Sequence, residues 1–469
     1  MTPFVLEIGL AALMVLIFVS GVLGGAAGRR RTGDLSVGGL LALLVGSFAI
    51  TPGSAALDGA FAQDALAVFA KQVFLFATLI AAIASLAPAA TAFRVRATEY
   101  HLLMLSSLLG MMVLASARDM ILLFVAFELM SIPLYVLAGF SKRDPIAVEA
   151  SLKFFLLGSV SSAVMAYGLS FVYGVAGSTA LPAVARAAAA EPPLLTLGLL
   201  AVLAGFGFKI AAFPFHMWVP DTYEAASTPF VAWLSVAPKA AGFVAIFRVY
   251  LEGVGGRVGL WVSVAAALAA VTIVVGNLMA LPQQNVKRLL AYSGVAHIGY
   301  MLVGLAASSP SGTGMVLFYL VAYVLGNMGA FLVVDAVARS EGSESLDAFR
   351  GLAQRSPLLA LAMLLFLLSL GGIPFVAGFW AKLYVFWAAA QVGLYWLVLL
   401  GAVLTVVALF YYLLIARRMY IDPPTRPDRV PLTRTLAISV LVCALGVVAL
   451  GLYPKPVVLA ALRAAAPLF

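Results

Sequence analysis

The stretch "FGFKIAAFPFHMWVPDTYEAASTP", residues 206–229, lies among neighbours as apolar as lipid, yet it holds a lysine, a histidine and three prolines. Of 469 residues, 64% are hydrophobic and 10% are charged, against about 25% charged in soluble domains. The setting is a membrane. Glycine and proline are frequent, which membrane helices tolerate where neighbouring helices re-satisfy the backbone. A cation and helix breakers in such a place mark either a structural kink or a functional interruption, and the rest of the chain has to decide between them.

A ruler of roughly 20 apolar residues per span gives about fourteen segments. They fall near 4–25, 35–52, 65–87, 99–117, 119–140, 148–175, 194–218, 229–250, 258–281, 290–307, 314–338, 357–392, 394–416 and 433–452. Seventeen lysines and arginines collect in one set of alternate loops, among them Arg29, Arg30, Arg31, Arg94, Arg96, Lys287 and Arg288. The other set holds six: Arg118, Arg186, Arg248, Arg257, Lys455 and Arg463. The positive-inside rule puts the first set in the cytoplasm and both termini outside. The apolar amino terminus, with Glu7 and no basic n-region, does not read as a cleaved signal peptide.

The segment 357–392 is too long for one straight span, since about 36 residues rise more than 50 Å against a hydrocarbon core of about 30 Å. It has to break or tilt, and "LGGIPFVAGFW" at 370–380 offers the break. "AAFPFHMW" at 211–218 echoes it, with Pro-Phe followed by Trp. Five helices separate the two phrases, and a repeat with an odd number of helices must be inverted in the membrane. The expected fold is an all-α polytopic membrane protein with two inverted five-helix repeats and discontinuous helices.

Other chemistry is narrowed by composition. The single Cys443 excludes a disulfide framework, a thiolate iron–sulfur site and a cysteine zinc site. His101, His216 and His297 lack ligand spacing, so no metal centre is expected. The net charge of +9 could point to nucleic acid, but no basic run exceeds Arg29–Arg31 and no interleaved aromatics accompany it.

What remains is a set of charges in lipid. Glu128, in "LLFVAFELMSIPLY", is the acid nearest the middle of a span, and Lys71, Lys153, Lys209, Lys239 and Lys382 fall inside spans. A charge at the bilayer centre costs about 3 kcal/mol on insertion scales. Lys71 and Lys153 lie near span ends, where snorkelling or a structural ion pair reads as readily as a functional role. Lys209, Lys239 and Lys382 lie deeper, and Pro214, Pro238 and Pro374 accompany them. A proline removes a backbone donor and frees a carbonyl, so water can enter and be held beside an ammonium. One carboxylate–lysine contact of about 4 Å is worth about 4 kcal/mol at an effective dielectric near 20. Moving a charge across about 150 mV costs about 3.5 kcal/mol. Making and breaking such a contact can therefore load and release a proton. His216 and His297, with Tyr292, Ser293 and Tyr300 in "AYSGVAHIGY", could extend the relay or serve as ordinary hydrogen-bonded residues.

These residues carry a family resemblance. "FPFHMWVPDTYEAASTP" resembles the hallmark of the antiporter-like subunits of respiratory NADH:quinone oxidoreductase (complex I), shared with cation/proton antiporter subunits and membrane-bound hydrogenases. "SVAPKAAGF", "NVKRLLAYSGVAHIGY" and "GGIPFVAGFWAKLYVF" look most like subunit N, the counterpart of mitochondrial subunit 2, over residues 60–420. The length agrees, because the extension of subunit L is absent, and subunit M has an acid where Lys382 stands. The resemblance implies that Glu128 pairs with Lys209, that Lys239 is the central relay and that Lys382 is the exit-side lysine. It adds His216 and Lys153 to the path, beside the His297 read above, and gives Glu99 a lesser part. It also implies a first repeat in 99–250 and a second in 258–416, after three helices in 1–98 and before a loop, last span and tail in 417–469. It implies no cofactor in this chain: NADH, FMN, iron–sulfur clusters and quinone belong to partner subunits. The expected neighbours are subunits M, K and J.

A self-standing or multisubunit Na⁺(K⁺)/H⁺ antiporter would share the same lysine–glutamate wiring. An organic-solute transporter would instead need paired polar groups around a midplane pocket, and the sequence offers charges alone.

Overall fold

Helix ends follow the capping residues in the sequence. The computed structural model describes residues 2–86, 96–190, 192–254 and 258–469; Arg94 and Arg257, counted above, lie outside them. Asp64 caps α3 (Ala65–Ser85), Asp119 caps α5 (Met120–Ala138) and Asp144 caps α6 (Pro145–Ala176), each carboxylate accepting from first-turn amides. Asn285 does the same for α13 (Val286–Ala306), and Ser309 for α14 (Pro310–Glu341). Such side chains satisfy amides that the helix itself leaves unpaired.

Among the described residues, twelve helices are long and apolar enough to cross a membrane. They include α1 (Val5–Leu23), α4 (Ala97–Ser116), α8 (Pro193–Ile210), α17 (Tyr395–Tyr420) and α18 (Arg434–Leu452). Two expected segments depart from that standard. The second is α2 (Gly25–Ser47), which starts earlier than its apolar run because left-handed Gly25 (φ 54°) reverses the chain directly after α1. Arg29–Arg31 thus lie inside a helix and not in a loop. The long segment splits into α15 (Pro357–Gly371) and α16 (Ala377–Gln391), broken at the Gly-Gly-Ile-Pro phrase. An otherwise helical chain also forms a small hairpin, β1 (Ser54–Ala56) against β2 (Phe61–Gln63).

The repeat shows in matched elements. α6 and α14 each have 32 residues, open with proline and end at a left-handed glycine, Gly177 and Gly342. They hold the third place in each expected repeat. In the fourth place, α8 and α15 both open on proline and stop at a left-handed residue, Ala211 and Gly372, just before the Pro-Phe phrases. The segment expected to run from 194 to 218 therefore ends at Ile210. The fifth places differ: α10 (Thr228–Leu234) and α11 (Ala237–Phe247) form an interrupted span, whereas α17 is continuous.

The chain divides into two compact units that do not coincide with the repeat blocks. The first comprises Met1–Ala211, Ala237–Trp261 and Arg463–Phe469; in it α11 packs on α3, α4 and α8, α6 runs along α8, and the short α7 (Leu181–Ala188) packs on α6. The second comprises Ala212–Val236 and Val262–Leu462. There α9 (Trp218–Ala225) packs on α13 and α10 packs on α14, which is why these two short helices leave the first block. α12 (Val258–Ala280) lies mainly in the second unit, as does α19 (Lys455–Ala465).

Candidate functional site

In the first unit, Lys209 occupies the last turn of α8 and is buried. Its Nζ faces the rings of Phe127 at 5.0 Å, Tyr135 at 5.5 Å, Phe208 at 5.8 Å and Phe154 at 5.9 Å. Such faces stabilise a desolvated ammonium by about 2 kcal/mol or more and leave its N–H donors uncommitted. Among the described residues no acceptor takes them.

Glu128, half-buried on α5, is near enough for its charge to act on Lys209, but it accepts a 2.5 Å hydrogen bond from Ser162 on α6. The expected Glu128–Lys209 ion pair is thus not made in this conformation. Ser162 was invisible to a search for charged residues, although it holds the acid.

Lys239 follows Pro238 at the start of α11 and is also buried. The two lysine helices approach closely at Gly242: a Cβ there would stand 2.6 Å from Ile210 Cγ2 and 3.6 Å from Lys209 Cγ. Only a residue without a side chain keeps the α8–α11 spacing, and the stem of Lys209 lies one turn from Lys239.

In the second unit, Lys382 sits on the far side of its helix break. Its Nζ donates to the carbonyls of Leu370 (2.8 Å) and Gly371 (3.2 Å), which the end of α15 leaves unpaired, and lies 4.8 Å from the centre of the Tyr300 ring. The negative end of the α15 dipole reinforces that hold. Lys209 precedes its break while Lys382 follows its own, so the two are not equivalent positions.

A polar row surrounds Tyr300. Asn277 donates to the Tyr300 hydroxyl (3.2 Å) and accepts from Tyr411 (3.1 Å). The Tyr411 ring packs against Tyr412 at 4.6 Å. Tyr412 Oη lies 3.2 Å from His297 Nε2 and 2.5 Å from Ser293 Oγ, while His297 Nδ1 bonds Tyr319 at 2.8 Å. His297, Ser293 and Tyr300 were singled out from the sequence. Asn277, Tyr319, Tyr411 and Tyr412 were missed, because neutral residues in an apolar run leave no charge signal.

Three other expectations fall elsewhere. Lys153 is exposed on α6 and pairs with Glu149 at 2.9 Å, so it does not join Lys209. Glu99 is exposed on α4. His216 is buried beside Phe213 in the second unit, with its Nδ1 unbonded. Lys71 proves fully buried: it pairs with Glu7 at 2.6 Å, hydrogen-bonds Gln63 and faces Phe61.

Residues 117–408 match the family model of NADH:quinone oxidoreductase/Mrp antiporter membrane subunits. NADH-quinone oxidoreductase subunit N of Moorella thermoacetica is 40% identical over 466 residues, covering 99% of this chain and 98% of that one. A chain of respiratory complex I from Thermus thermophilus, solved with bound aureothin, is 34% identical at a TM-score of 0.83, over 97% of this chain and 98% of that one. A chain of the Mrp complex from Dietzia sp. DQ12-45-1b reaches a TM-score of 0.89 at 23% identity, over 99% and 97%, which is a likeness of fold alone. The chain belongs to the subunit N branch of the NADH:quinone oxidoreductase/Mrp antiporter membrane family.

Proposed function

We infer that this chain translocates protons as the subunit N component of an NADH-quinone oxidoreductase, driven by electron transfer in its partners. The observation that carries the reading is Lys209, an ammonium enclosed by aromatic rings with uncommitted donors, beside a carboxylate parked on a serine. A proton reaching Lys209 is held while Glu128 turns toward it and released when Glu128 returns to Ser162. Lys239, one turn from the Lys209 stem, takes the central place in the relay. In the second unit the row from His297 through Tyr412, Tyr411, Asn277 and Tyr300 serves Lys382, the exit-side lysine. His216 and Lys153 are assigned only peripheral parts.

NADH, FMN, iron–sulfur clusters and quinone are assigned to partner subunits, and subunits M, K and J to the neighbouring positions in the membrane arm. Both termini are assigned to the periplasm. The test is proton pumping per electron pair in vesicles carrying the whole complex. Lys209→Ala and Glu128→Ala should each lower it at least tenfold with assembly intact; normal pumping in both would remove them from the path. The antiporter reading is separated by isolation through this chain: a preparation with cation/proton exchange but no flavin or quinone reduction would favour it.

A further inference from the structure

α11 carries Lys239 at its start and Arg248 at its end. The helix continues there into a π turn, Arg248–Glu252, and wide turns of this kind recur at functional sites. Arg248 stands nine positions after Lys239, about 13 Å along a helix. Arg248 is completely buried and all its donors are engaged. Nη1 donates to Asp64 (2.6 Å) and Glu252 (3.0 Å), Nη2 to Asp64 (2.7 Å) and the Ala115 carbonyl (2.9 Å), and Nε to the same carbonyl (3.2 Å). Asp64 also caps α3 by accepting from Ala67 at 2.9 Å.

The contacts continue in both directions with alternating sign. Glu252 binds Arg118, and Gln63, next to Asp64, binds Lys71, which pairs with Glu7. None of these residues belongs to the relay, and every contact lies in the first unit. A planar guanidinium held on three sides fixes the axial position and the rotation of its helix, which a single point charge would not do. Gly242 then sets how closely that helix lies against α8.

We propose that Arg248, anchored on Asp64, is a positioning residue for Lys239: it holds α11 in the register that keeps Lys239 one turn from the Lys209 stem. The proposal rests on the relay role of Lys239 given above. It is tested by pumping per electron pair and its pH profile, in vesicles carrying the assembled complex with Asp64→Asn, Asp64→Glu or Glu252→Gln, beside Lys239→Met. The expected result is at least a tenfold loss for Lys239→Met and at least a threefold loss with a displaced pH profile for Asp64→Asn. Asp64→Glu should recover at least half of normal pumping. Wild-type pumping and pH profile in assembled Asp64→Asn would overturn the proposal. Should Asp64→Asn not assemble, Glu252→Gln, which removes one arm, decides: a partial loss supports the proposal and unchanged pumping overturns it. Normal pumping in Lys239→Met would instead sink the relay role itself.

Discussion

Ser162 donates a 2.5 Å hydrogen bond to Glu128, so the acid nearest Lys209 rests on a neutral hydroxyl and not on the ammonium. A hydrogen bond to a charged acceptor is worth about 1.5–3 kcal/mol, comparable with the contact it competes against. Ser162→Ala removes the resting place and lets Glu128 stay on Lys209. Pumping should fall several-fold, less than in Glu128→Ala, and Ser162→Thr should restore it. Unchanged pumping in Ser162→Ala would show that the serine does not hold the switch.

Lys382 is bonded to two carbonyls at the end of α15. Lys382→Met leaves those two carbonyls without their cation but keeps a side chain of similar length on α16. The complex should assemble and pump at least tenfold less. Lys382→Arg keeps the charge but carries no proton that leaves at physiological pH, so it should be nearly as inactive. An active arginine variant would mean that the charge matters and the proton does not.

The Tyr412 hydroxyl serves both His297 and Ser293. Tyr412→Phe removes both bonds without changing the ring. The expected outcome is a several-fold slower pumping rate with an enlarged solvent deuterium isotope effect, read by parallel measurements in H₂O and D₂O. An isotope effect equal to that of the parent would place His297 off the path.

Lys71 pairs with Glu7 inside the first unit. Lys71→Ala strands a buried carboxylate, and breaking a buried pair by removing one partner costs about 3–5 kcal/mol. Assembly or thermal stability should drop accordingly, and the double variant Glu7→Gln with Lys71→Met should recover most of it. A stable Lys71→Ala complex would mean that Glu7 finds another partner.

Burial alone would raise the Asp64 carboxyl pKa, but the bonds and charge of Arg248 outweigh it and hold the value below the ordinary one. A lowered carboxylate contributes stability that is fully present above its unfolded pKa, about 4, and is lost as pH falls through the folded value. Thermal unfolding followed from about pH 6 to pH 3 should show a loss that Asp64→Asn flattens. An equal acid slope in that variant would assign the loss to other groups.

The spans, their breaks and the deep lysines were legible in the sequence, because lipid imposes a length and an apolar composition on every span and makes each charge conspicuous. The Gly-Gly-Ile-Pro phrase located the break in 357–392, since glycine and proline end helices by local geometry, whereas the stop of α8 at Ala211 fell inside an expected span. Tertiary structure decided which acceptors the charges meet. Lys382 takes carbonyls from the helix before it, Glu128 takes a serine from the helix after it, and His297 meets a tyrosine 115 positions along the chain. Arg248, which the sequence placed among loop cations, is buried on Asp64, 184 positions away. Such pairings depend on how helices pack, and helices associating in lipid are selected by close fit and polar satisfaction, neither of which a one-dimensional pattern of hydropathy records.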